Sequence, residues 1–223
     1  MERIRGRQPM IRLLRQLFFL VVVRPVVLLV LGLNVRHRER LPKAGPAMIV
    51  ANHNSHLDTL VLMTLFPPRL LDRLRPAAAM DYFLKNRFFA WFALNIIGII
   101  PVARKRDRKE DDPLAGCHPV LEAGGILIFF PEGSRGEPEK LSAFRSGIYF
   151  LARRHPTVTI VPVFLHGLGK ALPRGELLLV PFFVDVFVGE PLAVVRDDKE
   201  AFMAELDRRM QALAAEGQFP AWE

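Results

Sequence analysis

The sequence predicts an α/β domain with a mostly parallel central sheet and helices on both faces. Short apolar runs at residues 47–50 and 126–130 are typical of buried strands. Segments of helical length separate such runs, as crossovers between parallel strands require. Polar turns follow the strands that end near Ala51, Val102 and Phe130. Active sites of α/β proteins gather at such strand ends.

A basic, apolar segment is predicted to precede this domain. Residues 1–43 contain ten Lys/Arg and two acidic residues, whereas the other 21 basic and 21 acidic residues balance. Leu, Val and Phe alternate with the basic residues, which favours an anionic bilayer surface over nucleic acid as the partner. We therefore divide the chain into a membrane-associating helical segment, 1–33, and an α/β domain, 34–223.

The most apolar part of this segment, residues 10–33, is interrupted by Arg24 and Pro25. A charge at the centre of a spanning helix costs about 2.5 kcal/mol or more, and a proline kinks or breaks the helix. We expect two short helical pieces in one leaflet, on the cytoplasmic face of the membrane, rather than a span. A helix packed on the domain core is the alternative. No small-residue cleavage region of a signal peptide follows.

The predicted elements follow in order. A short strand at 34–40 and a turn-rich linker lead to the strand at 47–50 and a helix at 60–66. A second strand at 76–80 precedes a helix with an aromatic stripe over 83–94, which forms core or rests on acyl chains. A strand at 96–102 is followed by a charged loop.

In the second half, Asp112 and Pro113 are expected to start a helix that reaches Glu122. The strand at 126–130 then leads into a polar turn at 131–136. A helix at 144–154, a strand at 158–165 and one edge strand or two short strands within 177–188 come next. A last helix begins after Asp198.

His53 and Asp58 lie on the turn between the strand at 47–50 and the next helix. A histidine can act as a base near neutral pH, and an aspartate can orient its ring and stabilise the charged form. We interpret the pair as the group that removes a proton from an acceptor hydroxyl.

Four sequence blocks occur in one order: 52–58 (NHNSHLD), 98–104 (GIIPVAR), 130–135 (FPEGSR) and 160–163 (IVPV). With these blocks the chain resembles the glycerolipid acyltransferase family, which includes bacterial 1-acyl-glycerol-3-phosphate acyltransferases. The likeness extends over about residues 34–192. It implies the family's α/β fold, with a helical segment before it.

The resemblance also implies a reaction. His53, oriented by Asp58, would be the general base, and the donor would be acyl-CoA or acyl carrier protein, with no further cofactor and no metal. The acceptor would be a lyso-lipid, with 1-acylglycerol-3-phosphate favoured. The acceptor-binding residues would be Arg104, Glu132, Gly133 and Arg135.

One departure from the family leaves the acceptor open. Many relatives that use phosphate acceptors carry a lysine where this chain has Met80 and Asp81. An acid near a phosphate repels it. A different lyso-lipid or hydroxylated lipid is therefore the alternative acceptor.

Other classes of function also remain open from the sequence. His53, His56 and Asp58 could be ligands of a metal-dependent hydrolase. The turn around Ser134 lacks the spacing of a serine-hydrolase nucleophile elbow. A lipid-binding module without catalysis is the third alternative. The single cysteine, Cys117, is expected to be a small buried residue.

Overall fold

The computed structural model describes residues 7–80, 86–103, 112–136, 140–171, 180, 182–192 and 198–219. They form a seven-stranded sheet in the order β1-β7-β6-β2-β5-β3-β4. Neighbouring strands are parallel except β6 and β7, so β7 and β1 run opposite to the other five. The strands are β1 (Gly32–Arg36), β2 (Ala47–Ala51), β3 (Leu74–Ala79), β4 (Ile100–Val102), β5 (Ile126–Phe129), β6 (Thr159–His166) and β7 (Phe183–Val188).

Helices cover both faces of the sheet, because side chains of each strand alternate between two apolar clusters. In β2, Ala47 and Ile49 belong to one cluster and Met48 and Val50 to the other. The first cluster includes residues of α2 and is covered by Phe18 of α1, and the second includes residues of α5 and α7. The helices are α1 (Arg7–Phe18), α2 (Leu57–Thr64), α3 (Arg87–Phe92), α4 (His118–Glu122), α5 (Gly147–Arg154), α6 (Leu168–Ala171) and α7 (Lys199–Glu216). The predicted fold class is confirmed.

Several predicted boundaries were wrong. The first strand ends at Arg36, and a 3₁₀ turn occupies Arg38–Arg40. The stretch predicted as one strand at 96–102 belongs to two elements. Wide helical turns continue to Ile97, and only Ile100–Val102 forms a strand. Gly98, at a φ of 76°, makes this change of direction. An apolar run alone does not distinguish a short buried strand from the end of a buried helix.

Other predicted elements moved by a few residues or changed type. The helix predicted at 60–66 begins earlier, at Leu57. The helix predicted to begin at Asp112 starts instead as a 3₁₀ turn at Ala115–Cys117. Within 177–188 one strand forms, Phe183–Val188, and residues 172–179 lie outside the described residues.

The N-terminal helix is continuous rather than two separate pieces. After α1, wide π-helical turns at Phe19–Val23 and Val26–Val30 carry it past Arg24 and Pro25. Pro25 has no backbone N–H to donate, and the helix continues through it with π turns on either side. The Arg24 guanidinium donates to the carbonyl of Phe66 at 3.0 Å, so the domain supplies a partner for this charged side chain.

One side of this helix packs on the α/β domain. Its buried residues Phe19, Val23, Val27 and Leu31 recur every four positions and belong to the first core cluster. The stretch Pro9–Val30 is long and apolar enough to cross a membrane, with a mean hydropathy of 2.2. Its other side exposes Met10, Leu13, Leu14, Leu17, Leu20, Val21, Val22, Leu28, Leu29 and Val30.

Candidate active site

The candidate site lies where β2 and β5 end. These strands are parallel neighbours, so the turns that follow them emerge at the same edge of the sheet. A cavity of about 650 Å³ opens there, and His53 and Arg135 both lie on its wall. This volume is within the range of small-molecule sites. The two turns singled out from the sequence therefore share one cavity.

Asp58 is fully buried behind His53, in the first turn of α2. Its Oδ2 is 2.8 Å from His53 Nδ1 and accepts hydrogen bonds from the backbone N–H groups of Asn54 and Ser55. Burial raises the pKa of Asp58 above its usual value, and these hydrogen bonds oppose that rise. The fixed acceptor holds the His53 ring with Nδ1 towards Asp58.

His53 is held at three further points. Its ring stacks on Phe130, with 4.3 Å between the ring centroids. Its backbone N–H donates to Glu132 Oε1, and its carbonyl accepts from the N–H of Gly136, each at 3.3 Å. Within the described part of the chain, Nε2 is the ring nitrogen left without a protein partner. It can therefore accept a proton from a bound hydroxyl.

The turn itself is fixed by β6. The side chain of Asn52 accepts from the N–H of Leu165 at 2.7 Å and donates to its carbonyl at 2.8 Å, and Asn54 donates to the same carbonyl. The sequence analysis assigned no role to either asparagine. Both belong to the first sequence block and Leu165 follows the fourth, so these hydrogen bonds hold the first block against the end of β6.

The predicted acceptor-binding residues occupy different positions. Gly133 and Arg135 lie on the cavity wall. Glu132 does not; its side chain is 4% exposed and lies behind the turn. Arg104 lies outside the described residues. The binding roles of all four stay predictions.

The polar end of the cavity is electropositive. Partial burial, the neighbouring charge of Arg135 and that of His53 together lower the pKa of His56 to about 4. His56 lies on the cavity wall, at the N-terminus of α2. Such an environment keeps His56 neutral at pH 7 and favours an anionic ligand.

Arg145 is a cavity residue that was not predicted from the sequence. Its side chain contacts Gly133, where an added Cβ would lie 2.9 Å from Arg145 Nε. Gly133 has a φ of 73°, so glycine suits both the backbone and the close approach. The Arg145 guanidinium forms no ion pair with a described residue. It is therefore available to an anion beside Arg135.

Most of the remaining cavity wall is apolar, with Thr59, Asp112 and Ser146 as its polar members. The helix made by α3 and the wide turn that continues it contributes Phe89, Phe92, Ala93 and Ile97, and Phe150 adds a further ring. An acyl chain fits such a wall because burial of its methylenes is favourable, at about 0.8 kcal/mol each.

The geometry does not favour the metal-site alternative. Asp58 Oδ2 already accepts three hydrogen bonds. Among the described residues no group of three His, Cys, Asp or Glu side chains is arranged to hold a metal ion.

Cys117 is buried as predicted, and burial raises the pKa of its thiol to about 12.

The chain belongs to the Acyltransferase family, whose model matches residues 32–166. This confirms the resemblance drawn from the four sequence blocks. Its relatives include the chloroplastic 1-acyl-sn-glycerol-3-phosphate acyltransferase LPAT1 of Arabidopsis thaliana, 30% identical over 166 residues. That match covers 72% of this chain and 43% of the relative.

A second relative is the 1-acyl-sn-glycerol-3-phosphate acyltransferase alpha of Mus musculus, 29% identical over 133 residues, which are 59% of this chain and 44% of the relative. The chain thus spans less than half the length of these two relatives. The crystal structure of the 1-acyl-sn-glycerophosphate acyltransferase PlsC from Thermotoga maritima has the same fold. Its TM-score is 0.73 at 19% identity, covering 95% of this chain and 81% of that one.

Proposed function

We propose that this chain transfers a fatty acyl group from an acyl thioester to the free hydroxyl of a lyso-lipid. The favoured acceptor is 1-acylglycerol-3-phosphate, which would give phosphatidic acid. The observation that carries the proposal is the 2.8 Å contact between His53 and Asp58 on a cavity whose polar end holds Arg135. The names of the relatives agree with it.

The reaction follows from the position of Nε2. His53 removes the hydroxyl proton as the hydroxyl oxygen attacks the thioester carbonyl, and Asp58 stabilises the resulting imidazolium. The carbon–sulfur bond then breaks, the thiolate takes the proton from His53, and the ester and the free thiol leave. A thioester is already activated, so no covalent acyl-enzyme is required. The donor is acyl-CoA or acyl carrier protein.

The acceptor phosphate would lie between Arg135 and Arg145, beside Gly133. A guanidinium donates two parallel hydrogen bonds to a phosphate, and two guanidiniums match its charge. Arg104 of the second sequence block is proposed to complete this set. The acceptor's acyl chain or the donor's would then occupy the apolar end of the cavity.

Acyl transfer is tested with the purified full chain in detergent, given acyl-CoA or acylated carrier protein and a panel of lyso-lipids. We expect one free thiol for each phosphatidic acid formed, and loss of both in His53→Ala. The control His37→Asn changes a histidine that is not among the cavity residues. Turnover by His53→Ala within about tenfold of wild type would contradict the mechanism. Preference for a lyso-lipid without a phosphomonoester would favour the alternative acceptor.

We also propose that the chain lies on an anionic bilayer surface, on the cytoplasmic face of the membrane. The exposed side of the N-terminal helix is apolar, and its buried side packs along the domain, which favours an interfacial position over a span. Phe18 packs edge-to-face on Phe92 of α3 at 5.1 Å, and α3 exposes Phe88 and Trp91. The cavity wall thus borders the proposed membrane surface.

Vesicle binding tests this placement. Leu29 is 84% exposed, so Leu29→Lys changes the surface without disturbing the core. We expect at least tenfold weaker binding to anionic vesicles, and weaker binding of wild type at high salt. The control Ala204→Lys, at an exposed position of α7, adds the same charge elsewhere. Binding that neither salt nor Leu29→Lys changes would overturn the proposal.

A further inference from the structure

Glu132 differs from its neighbours on the turn after β5. Residues 129–131 and 133–135 all lie on the cavity wall, and Glu132 does not. Its side chain is buried and Oε1 accepts a hydrogen bond from the backbone N–H of His53. The carboxyl group is therefore directed at the back of the His53 turn and away from the space that a ligand would fill.

The segment from Glu132 to Gly136 holds both backbone polar groups of His53. Glu132 takes its N–H, and the N–H of Gly136 donates to its carbonyl, each at 3.3 Å. The segment is itself fixed by the N–H of Arg145, which donates to the carbonyl of Pro131 at 2.8 Å. These contacts set the position of the His53 backbone, and the position of Nε2 follows from it.

We propose that Glu132 is a positioning residue for His53 rather than a ligand of the acceptor. The inference rests on the proposed function, in which His53 is the base. Displacement of a catalytic group by about 1 Å can lower the rate about 10²-fold. The interpretation drawn from the sequence, which placed Glu132 in the acceptor-binding set, is replaced by this proposal.

The surroundings of the carboxyl group support the same role. Oε2 is buried, and the backbone N–H and the hydroxyl of Ser142 lie close enough to the carboxyl group to stabilise its charged form. Burial raises the pKa of Glu132 to about 7, and the nearby Asp58 contributes to the rise. A group that is partly neutral at pH 7 holds an N–H through an oxygen lone pair, which an amide oxygen also supplies. A glutamine should therefore replace it.

Two variants distinguish positioning from binding. Glu132→Ala removes the acceptor of the His53 N–H, and Glu132→Gln keeps it. For Glu132→Ala we expect kcat to fall about 10²-fold with the acceptor KM within about threefold of wild type. For Glu132→Gln we expect kcat within about fivefold of wild type. A tenfold rise in acceptor KM with kcat retained in Glu132→Gln would show that the carboxylate binds the acceptor, and would overturn the proposal.

Hydrogen exchange provides a readout that does not depend on turnover. Exchange at the backbone N–H of His53 should be faster in Glu132→Ala and unchanged in Glu132→Gln, because only the first variant loses the hydrogen bond. Equal exchange in wild type and Glu132→Ala would overturn the positioning role. If wild type acylates no lyso-lipid, the proposed function fails, and the exchange comparison still decides whether Glu132 holds His53.

Discussion

Asp58→Asn separates the electrostatic role of Asp58 from its structural role. The substitution keeps the shape of the side chain and removes its charge. An amide oxygen at the position of Oδ2 can still accept from the N–H groups of Asn54 and Ser55 and from His53 Nδ1. What the variant loses is the attraction between a carboxylate and the imidazolium that would form during the proposed proton transfer.

The size of this loss follows from the distance. Asp58 Oδ2 lies 2.8 Å from His53 Nδ1, which places the two charge centres about 4 Å apart. At an effective dielectric constant of about 20, two unit charges at that separation interact by about 4 kcal/mol. This corresponds to about 10³ in rate. We therefore expect kcat of Asp58→Asn to be about 10³-fold lower, with the acceptor KM unchanged.

Stability should change much less than activity. Because burial raises the pKa of Asp58 above its unfolded value, the ionised carboxylate destabilises the fold once the pH exceeds that unfolded value, near 4. Asn removes this cost. The new amide nitrogen at the position of Oδ1, which has no partner among the described residues, costs about 1–3 kcal/mol. These two changes oppose each other.

The assay is thiol release from the acyl donor, combined with thermal unfolding in the same detergent. Asp207→Asn, at an exposed position of α7, is the matched control for the change of charge. A fall of less than tenfold in a folded Asp58→Asn protein would refute the role of Asp58 in catalysis. The stability of Asp58→Asn relative to wild type should improve as the pH rises above 4, because only wild type then carries the buried charge.

Five further substitutions test the site and the fold. Arg135→Gln and Arg145→Gln should each raise the acceptor KM about 10–100-fold in steady-state assays, because a hydrogen bond to a charged group contributes about 1.5–3 kcal/mol. Unchanged KM values would show that neither arginine binds the acceptor phosphate. Because the pKa of Glu132 in the folded protein is raised to about 7, the wild type should lose about 3 kcal/mol of unfolding free energy as the pH rises from about 4.5 to 7. Glu132→Gln should not show this loss. Denaturant unfolding at a series of pH values measures this difference, and the same pH dependence of the unfolding free energy in both proteins would contradict it. Gly98→Ala should lower the free energy of unfolding by about 2–4 kcal/mol. The control Gly124→Ala, at a similar φ but an uncrowded position, should lower it by about 1 kcal/mol. Equal losses would show that the crowding at Gly98 is unimportant.

The sequence predicted what local patterns determine. The strands β2 and β5 are short, wholly apolar runs, and their parallel pairing brings their polar turns together. The His53–Asp58 contact joins residues five positions apart on one turn, so spacing alone suggested it. Contacts between distant segments gave no such signal. The bonds of Asn52 to Leu165, 113 residues later, became visible only when β2 and β6 were placed side by side.

The predicted boundaries of helices and strands were wrong where tertiary contacts override local preference. Residues 96–102 are apolar throughout, and that composition suits a strand or the end of a buried helix equally. The boundary at Gly98 depends on Arg15 and Arg75, whose Nη1 atoms would lie 2.6 and 2.5 Å from a Cβ at this position. A side chain here would have to displace both guanidiniums, so tertiary crowding adds to the backbone reason for a glycine in the second sequence block.

Arg15 also joins two parts of the chain that composition separates. It lies on the N-terminal helix, is 2% exposed, and donates from Nη2 to the carbonyls of Leu74 and Ile97. Ile97 lines the cavity, so the segment that we propose meets the bilayer also supports the cavity wall. Removal of residues 1–33 would therefore disturb the cavity together with the membrane surface, and lost activity would not show which mattered. Leu29→Lys alters the exposed side alone and leaves Arg15 in place, so activity retained in detergent with binding lost on vesicles would separate the two roles.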